Sequence, residues 1–320
     1  MDTRVLGSSG LEATVVGLGC NNFGRVATLT ASQEGTTAVM HGALDAGITF
    51  FDTADIYGGH WGVSEELMAQ ALRTRRGEAV VATKFGHTEV ATPIDALGAK
   101  GSRTYLRAAA EASLTRLGID VIDLFQQHMP DPSVPIEETL GALAELVDEG
   151  KIRAYGHSQF SAEQVRAADA AAAALGVAPF VTSQDELSLA ARAVETDGRL
   201  AAAQNAGMAF LPFFPLANGL FTGKFTRTDR PAGTRIADLR PHIAEGANWD
   251  AMEAYQAFCD GRGITMLEAT IGWFLAKPVV GSVIAGATRP EQVAANAAAA
   301  LAWSPHADEI AAINALFPAA

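Results

Sequence analysis

Runs of apolar residues of strand length recur along this chain, each trailed by a segment of helical period, and that alternation limits the fold more than any other feature. Strands are expected in "TVVGLG" (14–19), "ITFFD" (48–52), "AVVATK" (79–84) and "VIDLFQQH" (121–128). Four more are expected in "IRAYGHS" (152–158), "FVTSQ" (180–184), "MAFLPFF" (208–214) and "VGSVIAG" (280–286). Among the intervening segments, "PIEETLGALAELVDEGK" sets Ile136, Leu140, Leu143 and Val147 on one helical face. Pro135 stands where a first turn tolerates it and Gly150 where a helix ends. Eight strand-helix units predict a closed parallel (β/α)8 barrel, the TIM-barrel architecture, more economically than an open doubly wound sheet. Ahead of it, "TRVLGSSGLEATVV" reads as a β-hairpin turning at Gly-Ser-Ser-Gly. The stretch 216–278 is too long for one crossover and predicts a large loop with extra helices between strands seven and eight. No linker or composition break interrupts residues 1–320, so a single domain is expected.

Composition matters for what it excludes. With 49% apolar and 18% charged residues, the chain has enough apolar side chains for a sizeable core. A formal net charge of −13 argues against a general nucleic-acid binder or a polybasic membrane binder, while leaving room for a local basic pocket. Cys20 and Cys259 fit no metal or redox spacing and read as small buried residues. The opening "MDTRVLGSSG" has no apolar signal-peptide centre and no window reaches transmembrane length, so a cytoplasmic location is expected.

A barrel of this kind carries its active site at the C-terminal ends of its strands. Strand two ends in Asp52, with Tyr57 just beyond it. Strand three ends in Lys84 and strand four in His128. Taken singly, Asp52 could cap a turn, Tyr57 could pack with its hydroxyl in water, Lys84 could snorkel and His128 could be a loop histidine. Together they bring a carboxylate, a phenol, an ammonium and an imidazole to one rim. That set suits proton transfer from tyrosine to a carbonyl oxygen. An ammonium stabilises the phenolate and lowers the phenol pKa from about 10. A carboxylate holds the ammonium, and an imidazole orients the substrate oxygen.

These segments resemble the aldo-keto reductases, nearly end to end. "RVLGSSGLEATVVGLGCNNFG", "FFDTADIYGG" with "SEELMAQAL", "ASLTRLGIDVIDLFQQHMPDP" and "PIEETLGALAELVDEGKIRAYGHSQF" carry the resemblance, with "FFPLANGLFTGKF" and "IAGATRPEQVAAN". It implies hydride transfer from NADPH to a small-molecule aldehyde or ketone, with Asp52, Tyr57, Lys84 and His128 as the catalytic tetrad. No G-x-G-x-x-G follows a strand, so a Rossmann site is not indicated. The resemblance implies that Ser158 and Gln184 hold the nicotinamide carboxamide, with Gln159 beside them where asparagine is usual. Phe213 would stack on the nicotinamide where tyrosine is frequent. Pro215, Leu216, Asn218, Gly219 and Lys224 would fold over the pyrophosphate. Gly286, Thr288, Arg289, Gln292 and Asn296 would meet the adenosine end, Arg289 as the 2′-phosphate partner. Asn21, Phe23, Ile56, Trp61, Phe85 and Met129 would line the substrate mouth. No metal is implied. Other barrels of this family act as cofactor-binding regulatory subunits, the alternative reading. A phosphate-handling isomerase on the same barrel would leave the convergence of Tyr57, Lys84 and His128 unexplained.

Overall fold

The computed structural model describes residues 1–319. Two short strands, β1 (Thr3–Val5) and β2 (Glu12–Thr14), pair antiparallel as a hairpin. Eight further strands close a parallel barrel in the order β10-β3-β4-β5-β6-β7-β8-β9. They are β3 (Val16–Gly19), β4 (Phe50–Asp52), β5 (Val80–Phe85), β6 (Ile122–Gln127), β7 (Ile152–Ser158), β8 (Thr182–Glu186), β9 (Ala209–Phe213) and β10 (Val283–Gly286). All eight expected strands are present, each within the expected run or up to two residues beyond its end.

Helices follow the strands: α1 (Gln33–Asp45), α2 (Val63–Leu72), α3 (Arg103–Leu117), α4 (Ile136–Asp148), α5 (Ala162–Leu175) and α6 (Arg199–Asn205). The long segment after β9 carries α7 (Arg235–Leu239), α8 (Pro241–Glu245), α9 (Trp249–Asp260) and α10 (Met266–Leu275). After β10 come α11 (Pro290–Ala302) and α12 (Ala307–Leu316).

Local chemistry sets the helix ends. Ser161 and Gln164 form a reciprocal capping box on α5, and Gly176 closes it in the left-handed conformation. In α4, Leu140 and Leu143 are buried, with Ile136 and Val147 packed partly against the same layer.

Two apolar layers result. The outer one lies between strands and helices and contains Phe51, Val81, Phe85, Phe125 and Tyr155. The inner one fills the barrel with Phe50, Ala82, Leu124, Leu211 and Ile284. Leu6, Leu11 and Ala13 of the hairpin belong to this inner layer, so the hairpin plugs the N-terminal end of the barrel. Polar chemistry is thereby left to the other end.

Candidate active site

Strand alternation builds the site. On β5, Ala82 joins the inner apolar layer and Lys84, two residues on, points the same way. Lys84 is completely buried, with Nζ 2.6 Å from Asp52 Oδ2 at the end of β4. It donates two further hydrogen bonds, to Thr53 O at 2.9 Å and Tyr57 Oη at 3.3 Å. All three donors of the ammonium therefore have acceptors.

The second Asp52 oxygen, Oδ1, accepts from Gln126 Nε2 at 3.1 Å and from Gln184 Nε2 at 3.0 Å. Thr182 Oγ1 meets Gln126 Oε1 at 3.4 Å. A polar network thus sits directly above the apolar layer, and a buried ion pair of this kind is stable only when so thoroughly hydrogen-bonded.

Burial opposes the Lys84 charge, yet Asp52 and then Tyr57 outweigh it and hold the ammonium above its usual pKa. For Tyr57 the balance differs from the sequence expectation. Burial raises its pKa more than the Lys84 ammonium lowers it, and the net result is a raised value. Near neutral pH the phenol keeps its proton and is a ready donor. Burial, then the charge of Lys84 and the nearby His87, push His128 well below its normal pKa, so its ring is neutral. Its Nδ1 is buried without a partner. The His128 ring meets the Tyr57 ring edge-on at 5.7 Å between centroids. Phenol and imidazole therefore lie side by side.

Ser158, at the end of β7, and Gln184, midway along β8, are both buried and in paired register. Gln159 takes a left-handed φ of 61° and donates its amide to His128 O at 3.2 Å. Phe213 ends β9, and its ring meets Phe214 edge-on. Pro215 and Leu216 are buried behind it. Asn218 and Gly219 adopt left-handed φ values of 60° and 101°, turning the loop back on itself. A Cβ on Gly219 would lie 3.3 Å from Lys224 Nζ, so a side chain there would crowd the ammonium. Lys224 has its pKa lowered by partial shielding and then by Arg289, which brings the two loops into one electrostatic field. Neither cation has an ion pair among the described residues.

On the Arg289 side, Gly286 closes β10, and a Cβ there would lie 3.2 Å from Asn22 Nδ2. Gln292 Oε1 accepts from Thr288 N at 2.8 Å and its hydroxyl at 3.2 Å, closing the first turn of α11. Arg289 is exposed just before that turn, and Asn296 is buried on the next.

Four of the expected mouth residues, Asn21, Ile56, Trp61 and Met129, are half-buried. Trp61 is held by its own surroundings, with Nε1 3.4 Å from Asp55 Oδ2 and the Arg116 guanidinium 3.9 Å over the ring. Phe23 and Phe85 depart from the expectation. Both are wholly buried in the strand-helix layer, where Phe85 stacks on Phe125 at 4.6 Å. For Phe85 the reason is alternation: Lys84 points inward, so Phe85 points outward.

Sequence reasoning missed Gln126, although a glutamine two residues before His128, at the C-terminal end of the same strand, was readable as a signal. It also missed His87, whose ring meets His128 edge-on at 4.8 Å. No local pattern marks that contact, which joins two loops.

The family model described as "Aldo/keto reductase family" matches residues 15–317. This chain belongs to the aldo/keto reductase family. It is 34% identical over 308 residues to a protein of Escherichia coli (strain K12) named L-glyceraldehyde 3-phosphate reductase, covering 92% of this chain and 86% of that one. It is 33% identical over 307 residues to an Arabidopsis thaliana protein named probable voltage-gated potassium channel subunit beta, covering 92% and 90% respectively. An aldo/keto reductase with a reductase among its relatives is supported as an oxidoreductase. No helix among the described residues is long and apolar enough to cross a membrane.

Proposed function

We propose that this aldo/keto reductase uses NADPH to reduce a small aldehyde or ketone, with Tyr57 as the general acid. The observation that carries the reading is the chain of contacts from Asp52 through Lys84 to the Tyr57 hydroxyl, with the neutral His128 ring beside it. When bound, the nicotinamide cofactor supplies the hydride. The residues present suit such a group. Left-handed Asn218 and Gly219 with Lys224 make a cradle for phosphate. Arg289 stands at the start of α11, where helix dipole and free N–H groups add to its charge.

Within the site, Tyr57 releases its proton to the substrate oxygen as negative charge builds on it. Lys84 stabilises the phenolate left behind, and Asp52 keeps that ammonium in place through the Gln126 and Gln184 amides. Neutral His128 orients the substrate oxygen by a hydrogen bond. The name of the Escherichia coli relative supports a carbonyl substrate. Activated aldehydes such as 4-nitrobenzaldehyde, assayed with NADPH and NADH in parallel, test the reading. Turnover with NADPH is expected. No turnover across a broad aldehyde and ketone panel by folded, cofactor-saturated protein would sink it.

The similarity to the plant protein named as a channel subunit favours a second reading, a cofactor-binding regulatory subunit. Tight NADPH binding without turnover is its signature.

A further inference from the structure

Outside the barrel, where helices cover β6 and β7, buried polar atoms lack partners. Gln127 and His157 are register partners on these two strands, and both are buried. Gln126 turns inward to Asp52, so its neighbour Gln127 faces the helices, and His157 shares that face. Gln127 Oε1 and both ring nitrogens of His157 are without a hydrogen-bond partner. Unpaired groups of this kind are costly inside a protein and mark places where a partner fits.

A cavity of about 130 Å³ opens beside the glutamine, beneath the first turns of α4 and α5. Gln127 lines it with Val134, Ile136, Thr139, Phe160 and Gln164. His157 lies behind this wall, its ring stacked on that of Phe160 at 4.4 Å.

The walls define what fits. Val134, Ile136 and Phe160 supply an apolar lining, and an apolar cavity of about 150 Å³ holds one benzene ring. Thr139 donates its hydroxyl to Gly101 O at 2.7 Å, and Gln164 Oε1 accepts from Ser161 N at 2.9 Å. The Gln127 amide is thus the polar group left to satisfy. It carries an acceptor at one end and a donor at the other, and a hydroxyl can meet either. Charge is disfavoured here. No lysine or arginine lines the cavity among the described residues. Asp131, on its rim, already accepts from Gly101 N and Ser133 N, each at 3.0 Å. Glu137 and Glu138 in the first turn of α4, and Glu163 in that of α5, offset the helix dipoles that would draw an anion.

We propose that this cavity binds a small uncharged molecule with one ring and one hydroxyl group, a phenol or benzylic alcohol, with the hydroxyl on the Gln127 amide. The site is separate from the barrel mouth, yet it adjoins the tetrad. Gln127 precedes His128, and Phe160 follows Gln159, whose amide donates to His128 O at 3.2 Å. A ring between Gln127 and Phe160 braces the residues on both sides of that contact, which suits an effector rather than a substrate.

Calorimetric titration of the full chain with phenol, toluene and benzoate tests it. Phenol should bind with a Kd of about 1 mM or tighter, and benzoate at least about tenfold more weakly. Gln127→Leu nearly keeps the volume and removes the amide. It should weaken phenol about three- to tenfold and change toluene less than about twofold. Val134→Phe fills the space from the loop before α4 and should abolish binding of both.

No phenol binding by wild type would overturn the proposal. So would binding that survives Val134→Phe, which would place the phenol elsewhere, or equal losses of phenol and toluene in Gln127→Leu. Should Gln127→Leu not fold, wild-type crystals grown with phenol decide. The ring in the cavity with its hydroxyl on Gln127 supports the site, and an ordered water in its place overturns it. In turnover of 4-nitrobenzaldehyde, phenol should act non-competitively, whereas competition with the aldehyde would assign it to the barrel mouth and overturn the proposal. The binding titrations need no turnover, so they stand even if the reductase reading fails.

Discussion

Tyr57 holds its proton because burial outweighs the ammonium beside it, so its removal is a clean test of who donates. Tyr57→Phe keeps the ring and loses the hydroxyl. Turnover should fall about 10²–10⁴-fold with cofactor affinity nearly unchanged, as stopped-flow hydride transfer and cofactor titration would show. Retained turnover would shift the acid role to His128. Lys84→Met should also suppress turnover, and should shift the basic limb of the pH profile upward, since burial and the Asp52 charge then act on the phenol unopposed. It should lower the unfolding midpoint, because Asp52 keeps its two amide donors but loses its cation. An unmoved pH profile would remove Lys84 from the mechanism. At the far end of the cofactor, Arg289→Ala should weaken NADPH about ten- to a hundredfold and leave NADH nearly unchanged. Equal losses would mean that the side chain supports its loop rather than reading the 2′-phosphate.

Between elements, the tightest constraint is the seam of β7 and β8. A Cβ on Gly156 would lie 1.9 Å from Thr182 Oγ1 and 3.0 Å from Thr182 O. Thr182 cannot simply turn away without losing its contact with Gln126, part of the network on Asp52. Gly156→Ala should therefore cost about 1–3 kcal/mol, read from urea unfolding. Gly141 in α4 is the opposite case, with nothing near its missing Cβ and no positive φ. Gly141→Ala should raise stability by about 0.5–1 kcal/mol. If the two alanines act alike, the argument from strand proximity fails. The site depends on this seam, since Ser158 and Gln184 pair in register two residues further along.

For the molecule as a whole, a buried histidine couples stability to pH. His157 is wholly buried on β7, stacked on Phe160 at 4.4 Å, and neither ring nitrogen has a partner. Burial pushes its pKa down to about 3. The unfolded chain takes up a proton near the ordinary value of about 6.5, whereas the native protein refuses it. Stability from this residue is thus complete above that value and falls as pH drops towards 3, by about 1.4 kcal/mol per pH unit. His157→Leu should gain about 2 kcal/mol relative to wild type on going from pH 7 to pH 5. Parallel urea curves at the two pH values check it, and a constant gap would show that His157 is not the titrating group.

The alternation of apolar runs and helical periods determined the barrel, because each unit has one way to bury its stripe and the units repeat. Asp52, Lys84 and His128 were legible by position, as polar residues at the ends of apolar runs; Tyr57 was legible as a phenol just beyond one. Tertiary structure decided what depends on which side chains meet. It set the sign of the Tyr57 pKa shift, a balance of burial against distance to an ammonium that no local pattern carries. It turned Phe85 away from the mouth and buried Phe23. It also brought Arg235 and Arg240 over one ring, that of Phe214. A sequence records each charge, but only the closed barrel sets the distances at which charges act on one another.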